Sequence, residues 1–310
     1  ICAKKVLSID ANQYVAWDVL ASSHFQLKEL SLASEAGQSS LKLKDQLVKS
    51  LGLKLQTPEK FLANRLATKK NVLAFSLWGK HPRYLRGALQ NLLTQPKLYP
   101  GWVCRFYVDD TVPKEFVETL QQQGAEVVQS QSASVGERLT WRFQVANDPA
   151  VAYFLVRDAD AVINHREAEA VQAWIDSGRY FHVMRDWWTH TDLMLAGMWG
   201  GIAGLLPNLG KLYQSYSSRH VPTPNIDQWF LRDCVWTLIK PSCLIHDRCF
   251  KVFDSQAYPT PLPEEGHIGQ NEWAVRQQAQ AELLADWIAK LSCLSEKSAP
   301  GTNEGVDKSP

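Results

Sequence analysis

From Asn71 onward the chain alternates short apolar runs with stretches of helical period, and that rhythm leaves few folds open to it. Residues 71–77, 103–108, 126–128, 151–156 and 181–184 read as strands. Between them, residues 82 to about 93, 113–123, 140–146 and 166–176 read as helices, the first opened by Pro82 and two of them stopped by Gly124 and Gly178. Two more helices are expected, over 226–239 with Asn225 as N-cap and over 272–291, with loops at 129–135 and 254–269. Strands separated by helices pair in parallel and bury both faces, so the expected fold class is α/β, a mostly parallel, mixed, Rossmann-like sheet flanked by helices.

The most apolar strand, 151–156, runs directly into Arg157-Asp158-Ala159-Asp160. Acids placed there stand at a strand's carboxyl end, the edge where open α/β sheets bind ligands. Two carboxylates two residues apart supply hard oxygen ligands for Mg²⁺ or Mn²⁺, although a pair of solvated acids after a strand has the same pattern. Arg138, Arg142 and Arg157 carry guanidiniums suited to phosphate, or to neighbouring carboxylates. Asp227 falls in the first turn of an expected helix, where the dipole favours an acid without any further role. Asp186 and Asp192 flank Trp187-Trp188-Thr189-His190, a group of rings and polar atoms that suits either a sugar or a packed loop.

The run Arg138 to Phe143, followed by Tyr153-Phe154-Leu155-Val156-Arg157-Asp158-Ala159-Asp160, resembles the nucleotide-sugar-binding stretch of GT-A glycosyltransferases, particularly the glycogenin and bacterial galactosyltransferase-like group. Asn225-Ile226-Asp227-Gln228-Trp229 is similar to that group's D-Q-D motif, with Trp229 in place of the second acid, and the run from Leu195 to Gly201 is similar to its acceptor loop. The resemblance covers about residues 70–275 and extends to bacterial proteins of this type with tetratricopeptide repeats upstream. It implies a metal-dependent transfer of sugar from a nucleotide-sugar donor to a glycan, protein or small-molecule acceptor. Asp158 and Asp160 would hold Mn²⁺ or Mg²⁺, with His246, backed by Asp247, or alternatively His267 as third ligand. Phe75, Leu77, Arg138, Arg142, Arg157 and Asp158 would meet the donor; Asp186, Asp192, Trp199 and Gly200 the acceptor; Asp227 and Gln228 would take the catalytic position. Trp229 keeps a second class open, a catalytically inactive binding module or scaffold. A sugar-1-phosphate nucleotidyltransferase is the weakest alternative, because the segment Ser76 to His81 offers Gly79 alone where that class needs a glycine-rich loop.

Ahead of this, residues 14–45 read as two amphipathic helices, and Trp17, Leu20, Ala21, His24 and Ala33 resemble a degenerate tetratricopeptide repeat, from which Gly37 and Ser40 depart. A lone repeat cannot bury its own face, so a truncated array with a protein partner, or a hairpin capping the main domain, is expected. The expected organisation is a helical segment 1–67, a nucleotide-sugar-binding domain 68–292 and a disordered tail 293–310. With 33 Lys and Arg against 32 Asp and Glu, no charge excess draws the chain to nucleic acid or an anionic membrane. The 6 cysteines form no C-x-x-C pair, which argues against zinc and for free thiols in a reducing, cytoplasmic setting. No signal peptide or membrane-spanning run is visible, and a start at Ile1 without Met reads as a piece of a longer product.

Overall fold

A computed structural model of the chain describes residues 2–56, 69–131, 134–221, 223–261, 266–271 and 285. Its centre is a mixed seven-stranded sheet: β1 (Lys70–Leu77), β2 (Trp102–Val108), β3 (Glu126–Gln129), β4 (Val151–Arg157), β5 (Phe181–Arg185), β6 (Met198–Ile202) and β7 (Cys243–Asp247), in the order β3-β2-β1-β4-β6-β5-β7. Every neighbouring pair is parallel except those made by β6, which runs antiparallel to both β4 and β5. The chain steps outward from β1 to β2 and β3, then returns to the other flank of β1 as β4, so the strand order reverses between β1 and β4.

Alternation along the strands divides the core into two layers. Leu73, Phe75 and Leu77 of β1 and Leu155 of β4 meet the helices Pro82–Leu98, Lys114–Gln122 and His165–Asp176 through Leu85, Leu89, Phe116, Leu120 and Trp174. Val72, Ala74, Phe154 and Val156 face the opposite layer, built from the tight turn Trp141–Asn147 and the helical stretch beginning at Ile226.

Several expectations are corrected. The glycine-containing run read as an acceptor loop is largely strand β6, threaded between β4 and β5. The expected helix over 140–146 is an α-helix Val135–Thr140 followed by the 3₁₀ turn Trp141–Asn147. The helix expected over 226–239 is interrupted by a π-helical turn at Leu231–Val235, and the Asn225 side chain makes no capping bond. Strand β7 and the helix Leu209–Ser217 were not expected. The boundary at 67/68 and the tail 293–310 lie outside the described residues, as does all of the expected helix 272–291 but Ala285.

At the N-terminus, α1 (Cys2–Ile9), α2 (Tyr14–Gln26) and α3 (Leu30–Leu47) form a small helical unit. Helix α3 has α2 on one side and the sheet domain on the other. Leu41 is fully buried in the domain's larger core, and Gly37 lies so close to the Phe250 ring that a Cβ would collide with it. Lys44 donates from Nζ to Asp18 at 2.9 Å, to the Thr191 carbonyl at 2.8 Å and to Asp192 at 3.1 Å. Asp45 accepts from Trp236 Nε1 at 2.7 Å and from Lys240 at 2.6 Å. Gly37 and Ser40, the departures from the repeat pattern, thus serve local packing: Ser40 Oγ bonds Asp18 at 2.5 Å.

Candidate functional site

A cavity of about 570 Å³ opens at the carboxyl ends of β1 and β4, where the strand order reverses. Ligands of open α/β sheets bind at such a switch point because the crossover helices diverge there and leave a crevice. Ser76, Leu77 and Trp78 bring one wall from β1, and Asp158, Ala159 and Asp160 the facing wall from β4. Arg83 and Tyr84 come from the first turn of Pro82–Leu98, Leu139 and Arg142 from the segment before β4, and Gly269 and Asn271 from the turn-containing segment 266–271, where Asn271 bridges Ala161. The Trp78 and Tyr84 rings stack with centroids 6.4 Å apart, a planar apolar surface beside charged groups.

The polar atoms form two linked arrangements. Arg142 is held rigidly: Nη1 donates to the Arg157 carbonyl at 2.9 Å and to Asp158 Oδ1 at 2.5 Å, Nη2 lies 3.4 Å from Asp227 Oδ2, and its backbone N–H donates to Ser76 Oγ at 3.1 Å. Asp227 sits behind this guanidinium, also accepting from the Gln228 N–H at 2.9 Å, and burial pushes its carboxyl up to about 6. Asp158 itself is open to the cavity, its side chain 45% exposed. The Asp160 side chain is only 11% exposed and is gripped by Arg83, whose Nε donates to Oδ2 at 2.6 Å while Nη2 pairs with the same oxygen. Burial and then the neighbouring charge of Asp158 raise the Asp160 carboxyl above its ordinary value, despite Arg83.

The other expected donor residues are divided between the cavity and its surroundings. Leu77 lines the cavity, but Phe75 is buried in the layer below, stacked on Phe106 at 5.0 Å. Arg157, between Val156 and Asp158, points to the opposite face of β4, where Nε donates to Glu167 at 2.6 Å and Nη1 to the Val156 and Trp199 carbonyls at 2.8 and 3.1 Å. It is therefore a buried structural ion pair and does not face the cavity. Arg138 lies beside it in a neighbouring polar hollow, Nε 3.0 Å from Asp109.

The expected third metal ligand is not brought to the acids. His246 lies on β7, three strands from β4, or about 14 Å at ordinary strand spacing. Its Nδ1 is 2.7 Å from Nε2 of His182, and burial lowers its pKa to about 4. His267 stacks on Trp187 at 4.9 Å and bonds the Ile268 carbonyl at 2.8 Å. No group of three His, Cys, Asp or Glu side chains able to hold a metal is found among the described residues.

The expected acceptor residues do not line the cavity. Asp186 is fully buried, accepting from Arg166 at 2.7 Å and from the Ile268 N–H at 2.6 Å, and so anchors the segment that carries Gly269 and Asn271 to the cavity. Asp192 pairs with Lys44 at the α3 junction. Trp199 is buried against Phe143 and Phe154, and at Gly200 a Cβ would stand 2.5 Å from the Phe154 carbonyl, so glycine is what lets β6 lie against β4. Gln228 is half-buried, its Oε1 unpartnered among the described residues. Sequence reasoning missed Trp78, Arg83, Tyr84 and Asn271, of which Arg83 was legible: Pro82 starts the helix that follows β1, which puts residue 83 in a first turn on the ligand edge.

No family model matches the sequence, and no curated protein matches it. Among solved structures it is similar to a glycosyltransferase involved in glycosylation of the major capsid of PBCV-1, at 15% identity and TM-score 0.39 over 61% of this chain and 90% of that one. It is similar to 4-diphosphocytidyl-2C-methyl-D-erythritol synthase from Anaerococcus prevotii, at 10% identity and TM-score 0.36 over 59% and 89%. The mannosyltransferase Ktr4p of S. cerevisiae in complex with GDP gives 8% identity and TM-score 0.34 over 76% and 88%. No helix of the described residues is long and apolar enough to cross a membrane.

Proposed function

We propose that the chain is a metal-dependent glycosyltransferase that takes a sugar from a nucleotide-sugar donor. The observation that carries this reading is the placement of Asp158 and Asp160 on one wall of a cavity at the β1/β4 switch point, faced by two aromatic rings and two arginines. That set suits the parts of a nucleotide sugar: flat surface for the base or sugar ring, cationic groups for the diphosphate, and hard oxygens for a cation.

The acids fit Mg²⁺ or Mn²⁺. Each acid is paired with an arginine through one oxygen, Asp158 is also open to the cavity, and Mg²⁺ commonly takes one or two protein carboxylates and completes its shell with water and substrate phosphate. When bound, the ion neutralises the charge that develops on the departing diphosphate. Arg142, locked by Asp227 and the Arg157 carbonyl, presents a fixed charge beside Asp158; Asp227 is then a positioning residue acting through Arg142. Leu77, Val135 and Leu139 add apolar surface to the cavity lining.

Asp158→Asn and Asp160→Asn should each weaken Mn²⁺-dependent binding of UDP or GDP at least about 10-fold by calorimetry, since each loses a charged ligand bond, with circular dichroism unchanged. Unaltered affinity in both variants overturns the assignment. The pairing of both acids with arginines favours a second reading, a binding module without catalysis; binding of donor without its hydrolysis or transfer across a panel of acceptors would support that one.

A further inference from the structure

Arg83 and Arg142 hold the two acids in different ways. Arg142 has a side chain only 4% exposed and is fixed by two carboxylates and a backbone carbonyl. Arg83 is 35% exposed, enters from the edge of the cavity, and is held through Asp160 and the face of the Tyr84 ring, 5.3 Å from its Cζ. A carboxylate as enclosed as Asp160 needs a countercharge at all times, because an unpaired buried charge is strongly destabilising. In this structure Arg83 supplies it, both nitrogens converging on one oxygen.

We propose that Arg83 is a displaceable cation of the site: it occupies Asp160 until a divalent ion arrives together with a nucleoside diphosphate, then passes its guanidinium to the diphosphate. This rests on the nucleotide-sugar reading of the cavity and adds an order to it. A metal ion alone that takes Oδ2 of Asp160 must expel a guanidinium held there by two nitrogens, which then has no anion to meet, whereas the metal–diphosphate complex offers that guanidinium new phosphate oxygens in the same cavity. Exchange within one cavity is a rotation of a side chain anchored at residue 83, so Pro82–Leu98 need not move. Arg83 is on this view a positioning and specificity residue, making the site selective for metal with nucleotide over metal alone.

The test is a pair of titrations with opposite expected signs. Arg83→Gln removes the competitor and the phosphate partner together. Manganese alone should then bind about 10-fold more tightly than to wild type, while UDP or GDP in saturating Mn²⁺ should bind about 10-fold more weakly, the scale of one charge-assisted hydrogen bond. Arg83→Lys keeps the charge and loses the fork, so metal alone should stay weak and nucleotide affinity should fall in between. A role confined to folding moves both affinities the same way. If wild type binds Mn²⁺ with UDP or GDP and Arg83→Gln changes neither titration, or weakens both, the exchange is refuted and the nucleotide-sugar reading stands. If wild type binds neither nucleotide with Mn²⁺ and Asp158→Asn changes nothing, both are overturned.

Discussion

The seat of the acidic motif is a glycine on the helix Pro82–Leu98, and filling it sets two effects of opposite sign against each other. A Cβ at Gly87 would run into the Ala159 carbonyl oxygen and stand 2.8 Å from the Asp160 Cα. Within a helix, Gly→Ala gains up to about 1 kcal/mol from backbone entropy. Overpacking costs about 1–3 kcal/mol, and the upper half of that range applies here because the obstacle is backbone, which cannot rotate aside. Gly87→Ala should therefore lower stability by about 1–2 kcal/mol net. Restoring ordinary contact at about 3.5–4 Å pushes the loop between Asp158 and Asp160 outward by roughly 1 Å, a displacement that can reduce a site's performance up to about 100-fold. The assay is urea denaturation paired with calorimetric titration of UDP and GDP in Mn²⁺. Gly210→Ala is the control: it lies in the helix Leu209–Ser217 and its Cβ would meet only Asn208 Oδ1, at an unstrained 3.5 Å. That variant should be neutral or gain up to about 1 kcal/mol, with unchanged ligand affinity. Should Gly87→Ala prove as stable as Gly210→Ala and bind nucleotide like wild type, the close seating of the motif on the helix is not what holds the carboxylates in place.

Leu41→Ala should destabilise the protein by about 2–5 kcal/mol, the range for a fully enclosed leucine, and should shift tryptophan fluorescence and far-ultraviolet circular dichroism transitions together; a main transition left in place would show the N-terminal helices to be a separate unit. Asp227 is held at about 6, above the 3.8 of an ordinary aspartate, so ionising it opposes folding: its contribution is complete below pH 3.8 and is lost as pH rises through 6. Asp227→Asn should accordingly gain on wild type in denaturation free energy between pH 4 and pH 7, by up to about 3 kcal/mol, and a gap constant with pH refutes this.

The sheet was legible where strands are mostly apolar, as in β1, β2 and β4, because a largely apolar run has to be covered on both faces. Strand β6 was not, because its five residues include Gly200 and Gly201, which carry little strand propensity and are chosen for the approach of neighbouring chains. The position of Asp158 and Asp160 on the cavity wall was legible in the sequence, since a strand's carboxyl end is a local property. His246 was misplaced because its distance from β4 is set by the β4-β6-β5-β7 order, which no local pattern encodes. Arg157 is a different case. It is the last residue of β4 and shares the face of Leu155, which turns it to the layer of helix His165–Asp176, and that alternation stood in the sequence.

The orientation of Arg157 away from the acids gives the cavity its electrostatic character. With Arg157 turned to Glu167 on the far face, the groups that remain at the cavity or lock onto it are Asp158, Asp160 and Asp227 against Arg83 and Arg142. Three carboxylates against two guanidiniums leave a formal charge of −1, which opposes entry of a diphosphate. One divalent cation turns that to +1 and makes the same cavity attractive. Moving Arg83 from Asp160 to phosphate leaves the sum untouched, so the exchange alters which atoms are paired without changing how strongly the cavity draws anions. Dependence on a cation thus follows, on the nucleotide-sugar reading, from the charge count of the wall as well as from the oxygens it offers. The enclosed position of Asp227 refines it further. Protonation near pH 6 removes one negative charge, bringing the cavity to neutrality without metal, so nucleotide should depend least on the cation on the acid side of that value.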